Sequence, residues 1–313
     1  MKRAAIIGCG NIGSIWDEES SGDALLTHAA AYQRCAGTTL VAGCDPHAER
    51  LERFGRTRAV SGLYDDVDKM LANAKPDVVS LCTPATAREG ILAAVLEAGV
   101  RYVFCEKPIA TTVAEAQRIE QLAKRHDARI AINYTRRWDP ALVELSQLLQ
   151  SGELGTVQAI SAYYGKGIVN NGTHMLDLIA MLLGDAAFAT LGRTSVHGRV
   201  DDGRGRDPTV HATLSFAGYH AHLIGTDHNS FTLFELDVVA TRGRARMPGD
   251  GPVEISAPHA GDYTGYRELS AHRTLARDID RAMLHAVSEL IGEGPLSCGV
   301  TEGQRALRVA LEL

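Results

Sequence analysis

The first half of the chain alternates short apolar runs with stretches of helical periodicity. The runs are almost entirely apolar, which is typical of strands buried on both faces of a parallel sheet. They lie at residues 4–7, 38–43, 77–84, 100–104 and 128–133. Helical stretches separate the runs, such as the one from Gly90 to Ala98 that ends at Gly99. This alternation of strand and helix predicts an α/β fold with a doubly wound parallel sheet.

The pattern changes after Tyr134. Helices are predicted from Asp139-Pro140 and from His174 to Leu183, with a strand at residues 157–164 between them. Apolar and polar residues then alternate from Thr209 to Phe216 and again at residues 234–238. A period of two predicts an antiparallel sheet with one half-polar face. Two final helices are predicted, at residues 273–291 and 301–313.

Composition and charge narrow the classes of protein. With 313 residues, of which 45% are hydrophobic and 22% charged, the chain has the size and composition of a globular protein with about two domains. A net charge of −6 and the absence of a Lys/Arg run argue against a nucleic-acid or anionic membrane partner. No apolar run reaches 18 residues, so no membrane span is expected. The six cysteines form no C-x-x-C pair and show no metal-ligand spacing, which predicts reduced thiols, a cytoplasmic location and no metal.

A glycine motif directly follows the first apolar run. Its sequence is Gly8-Cys9-Gly10-Asn11-Ile12-Gly13, a G-x-G-x-x-G between a predicted strand and a predicted helix. In that position the glycines allow backbone N–H groups to approach a pyrophosphate at a helix amino terminus. A generic tight turn between strand and helix is the alternative. We therefore predict that Gly8, Gly10, Asn11, Ile12 and Gly13 bind a dinucleotide.

Asp45 ends the second apolar run. An acid at this place hydrogen-bonds the ribose hydroxyls of NAD and repels the 2′-phosphate of NADP. The cationic Arg50 nearby leaves NADP as an alternative cofactor. A helix N-cap before Pro46 is an equally good interpretation of Asp45. The spacing from the glycine motif is longer than usual because a polar stretch, Trp16 to Ala24, interrupts the first helix. We interpret this stretch as a loop insertion near the mouth of the site.

Two further strand ends carry unusual residues. Thr83-Pro84 ends one strand, and Cys105-Glu106-Lys107-Pro108 ends the next with two charges and a proline. Ligands bind at the carboxyl ends of strands in open parallel sheets. A solvated strand-to-loop turn is the alternative for the second segment.

Together these motifs resemble the Gfo/Idh/MocA oxidoreductases, the family of glucose-fructose oxidoreductase and inositol dehydrogenase. The resemblance is carried over the whole chain by Gly8-x-Gly10-x-x-Gly13, Cys82-Thr83-Pro84, Glu106-Lys107-Pro108, Arg136, Ser151-Gly152-x-x-Gly155 and Gly172-x-His174-x-x-Asp177. It implies an NAD(P)-binding Rossmann domain at residues 1–126. It also implies a substrate-binding and oligomerisation domain at residues 127–313, with a large open, mostly antiparallel sheet and a last helix that packs back on the first domain.

The resemblance also assigns roles to residues. His174 is expected to act as general base and Lys107 to hydrogen-bond the reacting oxygen or relay its proton, with the peptide before Pro108 often cis in the family. The expected cofactor ligands further along the chain are Thr83, Pro84, Glu106 and Lys107, although Glu106 alternatively fixes its loop. The expected substrate ligands are Asn170, Lys166, Tyr134 and Arg136.

Two residues depart from the family pattern. Asn170 stands where the family commonly has Asp, and an amide can position a hydroxyl but cannot accept its proton. Arg88 stands where the family often has His.

The resulting hypothesis is an NAD-dependent oxidoreductase of a secondary hydroxyl or carbonyl in a sugar, sugar derivative or cyclitol. Two alternatives remain: an NADPH-dependent imine or enone reductase of the same fold, and a non-catalytic NAD-binding sensor. Asp45 argues against the reductase, and Asn170 argues mildly for the sensor. The half-polar sheet face predicts a homodimer or homotetramer, and no sequence motif names the substrate.

Overall fold

A computed structural model describes residues 1–18 and 24–313 of the chain. These residues form two compact units. The first comprises Met1–Trp138 and Ile279–Leu307, and the second comprises Asp139–Asp278 and Arg308–Leu313. The predicted domain boundary at residue 126 precedes a strand that pairs within the first unit, and residues 279–307 return to that unit.

The first unit contains a six-stranded parallel sheet in the order β3-β2-β1-β4-β5-β6. Its strands are β1 Lys2–Ile7, β2 Thr38–Cys44, β3 Gly62–Tyr64, β4 Val78–Leu81, β5 Tyr102–Cys105 and β6 Arg129–Ile132. The strand order reverses between β1 and β4, which is the doubly wound Rossmann arrangement. Strands β4 and β1 are buried along most of their length, because helices flank a parallel sheet on both faces.

Ten α-helices occur among the described residues. They are α1 His28–Arg34, α2 Ala48–Arg58, α3 Val67–Ala74, α4 Ala85–Glu97, α5 Val113–Arg125, α6 Pro140–Gln150, α7 Thr173–Leu183, α8 Asp185–Phe188, α9 Ala282–Ile291 and α10 Val300–Glu312. Two π-helices, Asn11–Ile15 and Ile168–Gly172, and three 3₁₀ turns, Trp16–Glu18, Thr135–Trp138 and Ile279–Arg281, join them. Asp139 caps α6 by accepting the N–H of Ala141, with Pro140 in the first helical position.

The second unit contains an eight-stranded sheet in the order β14-β13-β12-β11-β7-β10-β9-β8. Its strands are β7 Val157–Tyr164, β8 Arg193–Val200, β9 Thr209–Phe216, β10 Tyr219–Gly225, β11 Glu235–Ala240, β12 Gly243–Met247, β13 Val253–Ala260 and β14 Arg267–Leu275. All neighbours are antiparallel except β7 and β10. One face packs on α6 and α7 through side chains such as Leu142, Ile179 and Ile160. The fold class predicted from the sequence is confirmed.

One predicted helix begins too early. The expected helix at residues 273–291 overlaps β14, which pairs with β13 up to the register Val253↔Leu275. Helix α9 begins only at Ala282. In β14 only Leu269, Ala271 and Leu275 follow an apolar alternation, which Arg273 interrupts, and most side chains of the strand are exposed. This incomplete pattern is too weak to predict a strand. No helix of the described residues is long and apolar enough to cross a membrane.

Candidate functional site

The glycine motif forms the turn after β1. Gly8 has φ +98°, and a Cβ atom on it would lie 2.7 Å from the carbonyl oxygen of Cys82, while a Cβ on Gly13 would collide with the Gly8 carbonyl. A Cβ on Gly10 would meet none of the described residues within 4 Å. Packing of the chain itself therefore requires Gly8 and Gly13, whereas Gly10 leaves space open above the turn. A dinucleotide-binding turn needs this space for the pyrophosphate.

The loop insertion after the turn is closed at its base. Asp17 Oδ1 accepts the N–H of Leu26 at 2.6 Å, and Asp17 Oδ2 accepts the hydroxyl of Thr27. Arg58 donates to Asp17 at 2.9 Å, and both side chains are largely buried. Residues 19–23 of the predicted insertion lie outside the described residues. Asp17, at the start of the insertion, thus binds Leu26 and Thr27 at its end. Helix α1 then begins directly after Thr27, which is its N-cap.

Asp45 follows β2 and touches the glycine motif. Its Oδ2 accepts the N–H of Cys9 at 2.9 Å, and its Oδ1 accepts the N–H of His47 at 3.0 Å. The guanidinium of Arg50 lies 3.9 Å away. Helix α2 has His47 as its N-cap residue, so Asp45 does not cap this helix. A carboxylate hydrogen-bonded to the glycine turn is consistent with the predicted ribose ligand.

Thr83 lies just beyond β4, next to the residue that contacts Gly8. Its Oγ1 is buried and has no hydrogen-bond partner among the described residues. Buried hydroxyls are almost always paired, so a ligand is the natural partner of this one. Together with the open space at Gly10, the Thr83 hydroxyl fits a dinucleotide bound across the strand ends. Pro84 is exposed beside it.

Glu106 is the centre of a buried polar network. Asn133 Nδ2 donates to Glu106 Oε1 at 2.6 Å, and His28 Nε2 lies 3.1 Å from the same oxygen. The other oxygen, Oε2, accepts the N–H of Lys107 at 3.2 Å. His28 is fully buried, and its second ring nitrogen lies 2.8 Å from Ser80 Oγ. Both carboxylate oxygens thus contact the protein, which favours the alternative that Glu106 fixes its loop.

The network keeps Glu106 ionised. Burial raises the pKa of the Glu106 carboxyl, but the hydrogen bonds from His28 and Asn133 and the charge of Lys107 outweigh burial and lower the pKa below its ordinary value. A buried carboxylate held in this way fixes the main chain of Lys107 at the end of β5.

Arg88 holds the same loop from α4. Its side chain is 1% exposed and donates to the carbonyl oxygens of Pro108 and, at 2.6 Å, of Thr83. The Lys107–Pro108 peptide bond is cis. The sequence marks Arg88 only as a departure from the family pattern, and its contacts with Thr83 and Pro108 are visible only in the structure.

The predicted ligands after β6 also belong to the first unit. Tyr134 is 1% exposed, and Arg136 lies in the adjacent 3₁₀ turn. The neighbouring Arg137 donates to the carbonyl oxygen of Ser297 at 2.9 Å. Binding of substrate by Tyr134 and Arg136 remains a prediction.

Three other predicted site residues lie in the segment from the end of β7 to the first turn of α7, in the second unit. Lys166 is exposed and has φ +70°, a left-handed conformation that is uncommon for a residue other than glycine. Asn170 Nδ2 donates to the carbonyl oxygen of Lys166 at 3.2 Å. His174 lies in the first turn of α7, which begins at Thr173. The structure thus brings Lys166, Asn170 and His174 into one segment.

Parallel pairing brings all the predicted cofactor ligands to one edge of the first sheet. They are the glycine motif with Gly8, Gly10, Asn11, Ile12 and Gly13, then Asp45, Thr83, Pro84, Glu106 and Lys107, which follow β1, β2, β4 and β5. The sequence patterns assigned no role to Asn133 or to His28. A histidine directly after a helix N-cap was a weak signal. Asn133 contacts Glu106 from 27 positions away in the chain.

The cysteines and acids provide no evidence for a metal site. All six cysteines are free, and burial raises the pKa of Cys44 and of Cys105 to about 11, so both remain protonated at neutral pH. Among the described residues, no group of three His, Cys, Asp or Glu side chains is arranged to hold a metal ion.

Comparison with known sequences agrees with this geometry. Residues 2–134 match the oxidoreductase family with an NAD-binding Rossmann fold, GFO_IDH_MocA. D-apiose dehydrogenase of Paraburkholderia graminis is 26% identical over 200 residues, covering 58% of this chain and 50% of that protein. Inositol 2-dehydrogenase of Salmonella typhimurium is 32% identical over 155 residues, covering 49% and 43%. The chain spans about half the length of the curated relatives it matches.

Solved structures share the fold over the whole chain. An oxidoreductase from Agrobacterium radiobacter in complex with NAD+, L-tartaric acid and magnesium has a TM-score of 0.76. The superposition covers 99% of this chain and 94% of that one at 17% sequence identity, which shows a common fold.

Proposed function

Because residues 2–134 match the NAD-binding Rossmann fold of the Gfo/Idh/MocA oxidoreductases, we propose that the chain is an NAD-dependent oxidoreductase of this family. Its proposed substrate is a secondary hydroxyl, or the corresponding carbonyl, of a sugar, sugar derivative or cyclitol. The observation that carries the proposal is the open space at Gly10, in a turn whose Cys9 N–H donates to Asp45. The buried Thr83 hydroxyl, which has no hydrogen-bond partner among the described residues, adds to it. The matched relatives, an apiose dehydrogenase and inositol dehydrogenases, support the substrate class.

The cofactor ligands each have a distinct role in this proposal. Backbone N–H groups of the glycine motif bind the pyrophosphate, Asp45 binds the adenosine ribose, and Thr83 donates or accepts a hydrogen bond near the nicotinamide end. Bound NAD supplies a hydride acceptor. Glu106 and Arg88 fix the loop of Lys107 from opposite ends of the dipeptide, at the N–H of Lys107 and the carbonyl of Pro108.

Removal of a hydride from a carbinol carbon requires removal of the hydroxyl proton. His174 is the proposed general base, because imidazole has an ordinary pKa near 6.5 and accepts a proton at neutral pH. The Lys107 ammonium donates a hydrogen bond to the reacting oxygen and stabilises the charge that develops there. Lys166, Asn170, Tyr134 and Arg136 bind the remaining hydroxyls of the substrate.

The open face of the second sheet is the proposed subunit interface of a homodimer or homotetramer. Polar side chains cover this face and hydrogen-bond across strands. His197 Nε2 lies 2.8 Å from Thr213 Oγ1, which in turn lies 3.2 Å from His222 Nδ1. Light scattering that detects only monomer at micromolar concentration would exclude this assembly. The six free cysteines support a reducing, cytoplasmic location.

Turnover with a panel of polyols tests the proposed activity. Purified protein is mixed with NAD+ and with inositols, aldoses, glycosides and nucleotide sugars, and NADH formation is followed by absorbance. The proposal expects at least one cyclic polyol or sugar to be oxidised, with NAD+ preferred over NADP+. Tight NAD binding without turnover across the panel would favour a sensor, and NADPH-dependent reduction of an imine or enone would favour the reductase.

A further inference from the structure

A second segment of the same unit holds the loop of Lys166 and Asn170. Four consecutive backbone N–H groups of the loop donate to residues 207–209, just before and within the start of β9. Gly167 donates to Thr209 Oγ1 at 2.8 Å, Ile168 to Pro208 O at 3.0 Å, Val169 to Asp207 Oδ1 at 2.8 Å and Asn170 to Asp207 Oδ2 at 3.0 Å. The first turn of a helix leaves such N–H groups unpaired, and here the neighbouring segment satisfies all four.

The fit between the two segments is close. A Cβ atom on Gly167 would collide with the Asp207 carboxylate, and Gly167 has φ +86°. The hydroxyl of Thr209 also donates to Asp202 Oδ2 at 2.5 Å, which orients its acceptor lone pair toward Gly167. The loop conformation, with Lys166 in a left-handed geometry, is therefore imposed from outside the loop.

The same contacts give a physical reason for the amide at position 170. Asn170 uses its side-chain NH₂ group to donate to the carbonyl oxygen of Lys166. An aspartate could not donate, and its charge would lie close to the Asp207 carboxylate, which already contacts the main chain of residue 170. Two carboxylates that lie close together disfavour each other's ionised form.

We propose that Asp207 is the positioning residue of the loop that carries Lys166 and Asn170, and that residue 170 is an amide because the Asp207 carboxylate already lies beside its main chain. Both carboxylate oxygens of Asp207 accept hydrogen bonds from backbone N–H groups. Asp207 therefore fixes Lys166 and Asn170 without itself touching substrate. This inference rests on the proposed function only for its effect on catalysis. The contact itself is independent of the reaction.

Hydrogen exchange of the amides of residues 167–170 tests the positioning role directly. Asp207→Asn removes one acceptor oxygen, and Asp201→Asn, on an exposed side chain of the same segment, is the matched control. We expect exchange at Val169 or Asn170 to accelerate roughly tenfold or more in Asp207→Asn, because a charge-assisted hydrogen bond is lost, and to remain unchanged in Asp201→Asn. Equal protection in both variants would overturn the proposal.

A double-mutant cycle between positions 170 and 207 tests the charge argument. Asn170→Asp alone should lower kcat/KM by raising KM, and Asp207→Asn in the same chain should recover part of the loss. If Asn170→Asp is equally damaging with and without Asp207, the proposed coupling is wrong. NAD affinity should be the same in all variants, since the predicted cofactor ligands belong to the first unit. If the wild type shows no turnover, the proposed function fails, while the exchange experiment still decides the role of Asp207.

Discussion

The loops that carry Lys107 and Lys166 are held in different ways. At Lys107 the protein uses buried charges: the carboxylate of Glu106 contacts His28 and Asn133, and the guanidinium of Arg88 donates to two carbonyl oxygens. At Lys166 it uses backbone N–H groups donated to a neighbouring segment, with a half-buried carboxylate and residues of positive φ. The support of the Lys107 loop depends on hydrogen bonds of buried charged groups, and the support of the Lys166 loop depends on backbone conformation.

This difference predicts different failures. Loss of one partner from a buried network leaves the others uncompensated in a medium of low dielectric, which destabilises the whole domain. Loss of a cap on a half-buried loop costs less stability, because water can replace the missing acceptor. Mutation of the residues that hold the Lys107 loop should therefore mainly lower stability, and mutation of the residues that hold the Lys166 loop should mainly weaken substrate binding.

The largest expected effect is on turnover. Lys107→Met and His174→Gln should each lower kcat roughly 100- to 10,000-fold, because the first removes the hydrogen bond to the reacting oxygen and the second removes the general base. If the two residues serve one reaction, the double variant should lose little more than either single variant. NAD affinity of His174→Gln, measured by calorimetry, is the control, since His174 is not among the predicted cofactor ligands. Wild-type turnover in Lys107→Met would refute the assigned mechanism.

A large stability effect is expected at Glu106. Glu106→Ala should lower the free energy of unfolding by about 3–5 kcal/mol, because His28 and Asn133 lose their shared acceptor inside the core. Glu89→Ala is the matched control, since Glu89 pairs with Arg118 on the surface and a surface ion pair contributes little. Urea unfolding of both variants gives the comparison, and equal losses would show that the buried network does not stabilise the fold.

A smaller effect is expected from two glycines. Gly167→Ala should destabilise by about 1–3 kcal/mol, because alanine is strained at φ +86° and would displace Asp207. Gly10→Ala should leave stability nearly unchanged but weaken NAD binding, since its Cβ would enter only the open space above the turn. Thermal unfolding and NAD titration of both variants separate the two roles. Unchanged NAD affinity in Gly10→Ala would place the dinucleotide elsewhere.

The smallest expected effect is the pH dependence of the Glu106 network. The folded protein lowers the pKa of Glu106 below its ordinary value of 4.5, so the carboxylate contributes stability above that pH. As pH falls below 4.5, the unfolded state gains a proton first and the contribution is progressively lost. The difference in unfolding free energy between wild type and Glu106→Gln should therefore shrink with acidification. A difference that does not vary with pH would contradict the lowered pKa.

Local sequence patterns were sufficient for most of the first sheet, but they located only three of the eight strands of the second sheet. Apolar runs located five of the six parallel strands, and the glycine motif identified the turn that contacts Cys82 and Asp45. The short third strand, Gly62–Tyr64, has too few residues to show a period. The exposed strand Arg267–Leu275 has no buried face and was partly taken for a helix.

The supports of the site required the three-dimensional structure. His28 meets Glu106 from 78 positions away, and Asp207 meets Asn170 from 37 positions away. Neither contact has a sequence period or a motif, because both depend on the positions of strands that are distant in the chain. The resemblance supplied the residues expected to do chemistry, while the residues that hold them in place came from the contacts.

Binding of NAD to the purified chain tests the central claim most directly. Isothermal titration with NAD+ and NADP+ should show one saturable site, tighter for NAD+, because Asp45 accepts ribose hydroxyls and repels a 2′-phosphate. Mass spectrometry of small molecules released from the same preparation would identify any bound sugar. Saturable NAD+ binding that weakens in Gly10→Ala would support the account. No binding of either dinucleotide would contradict it.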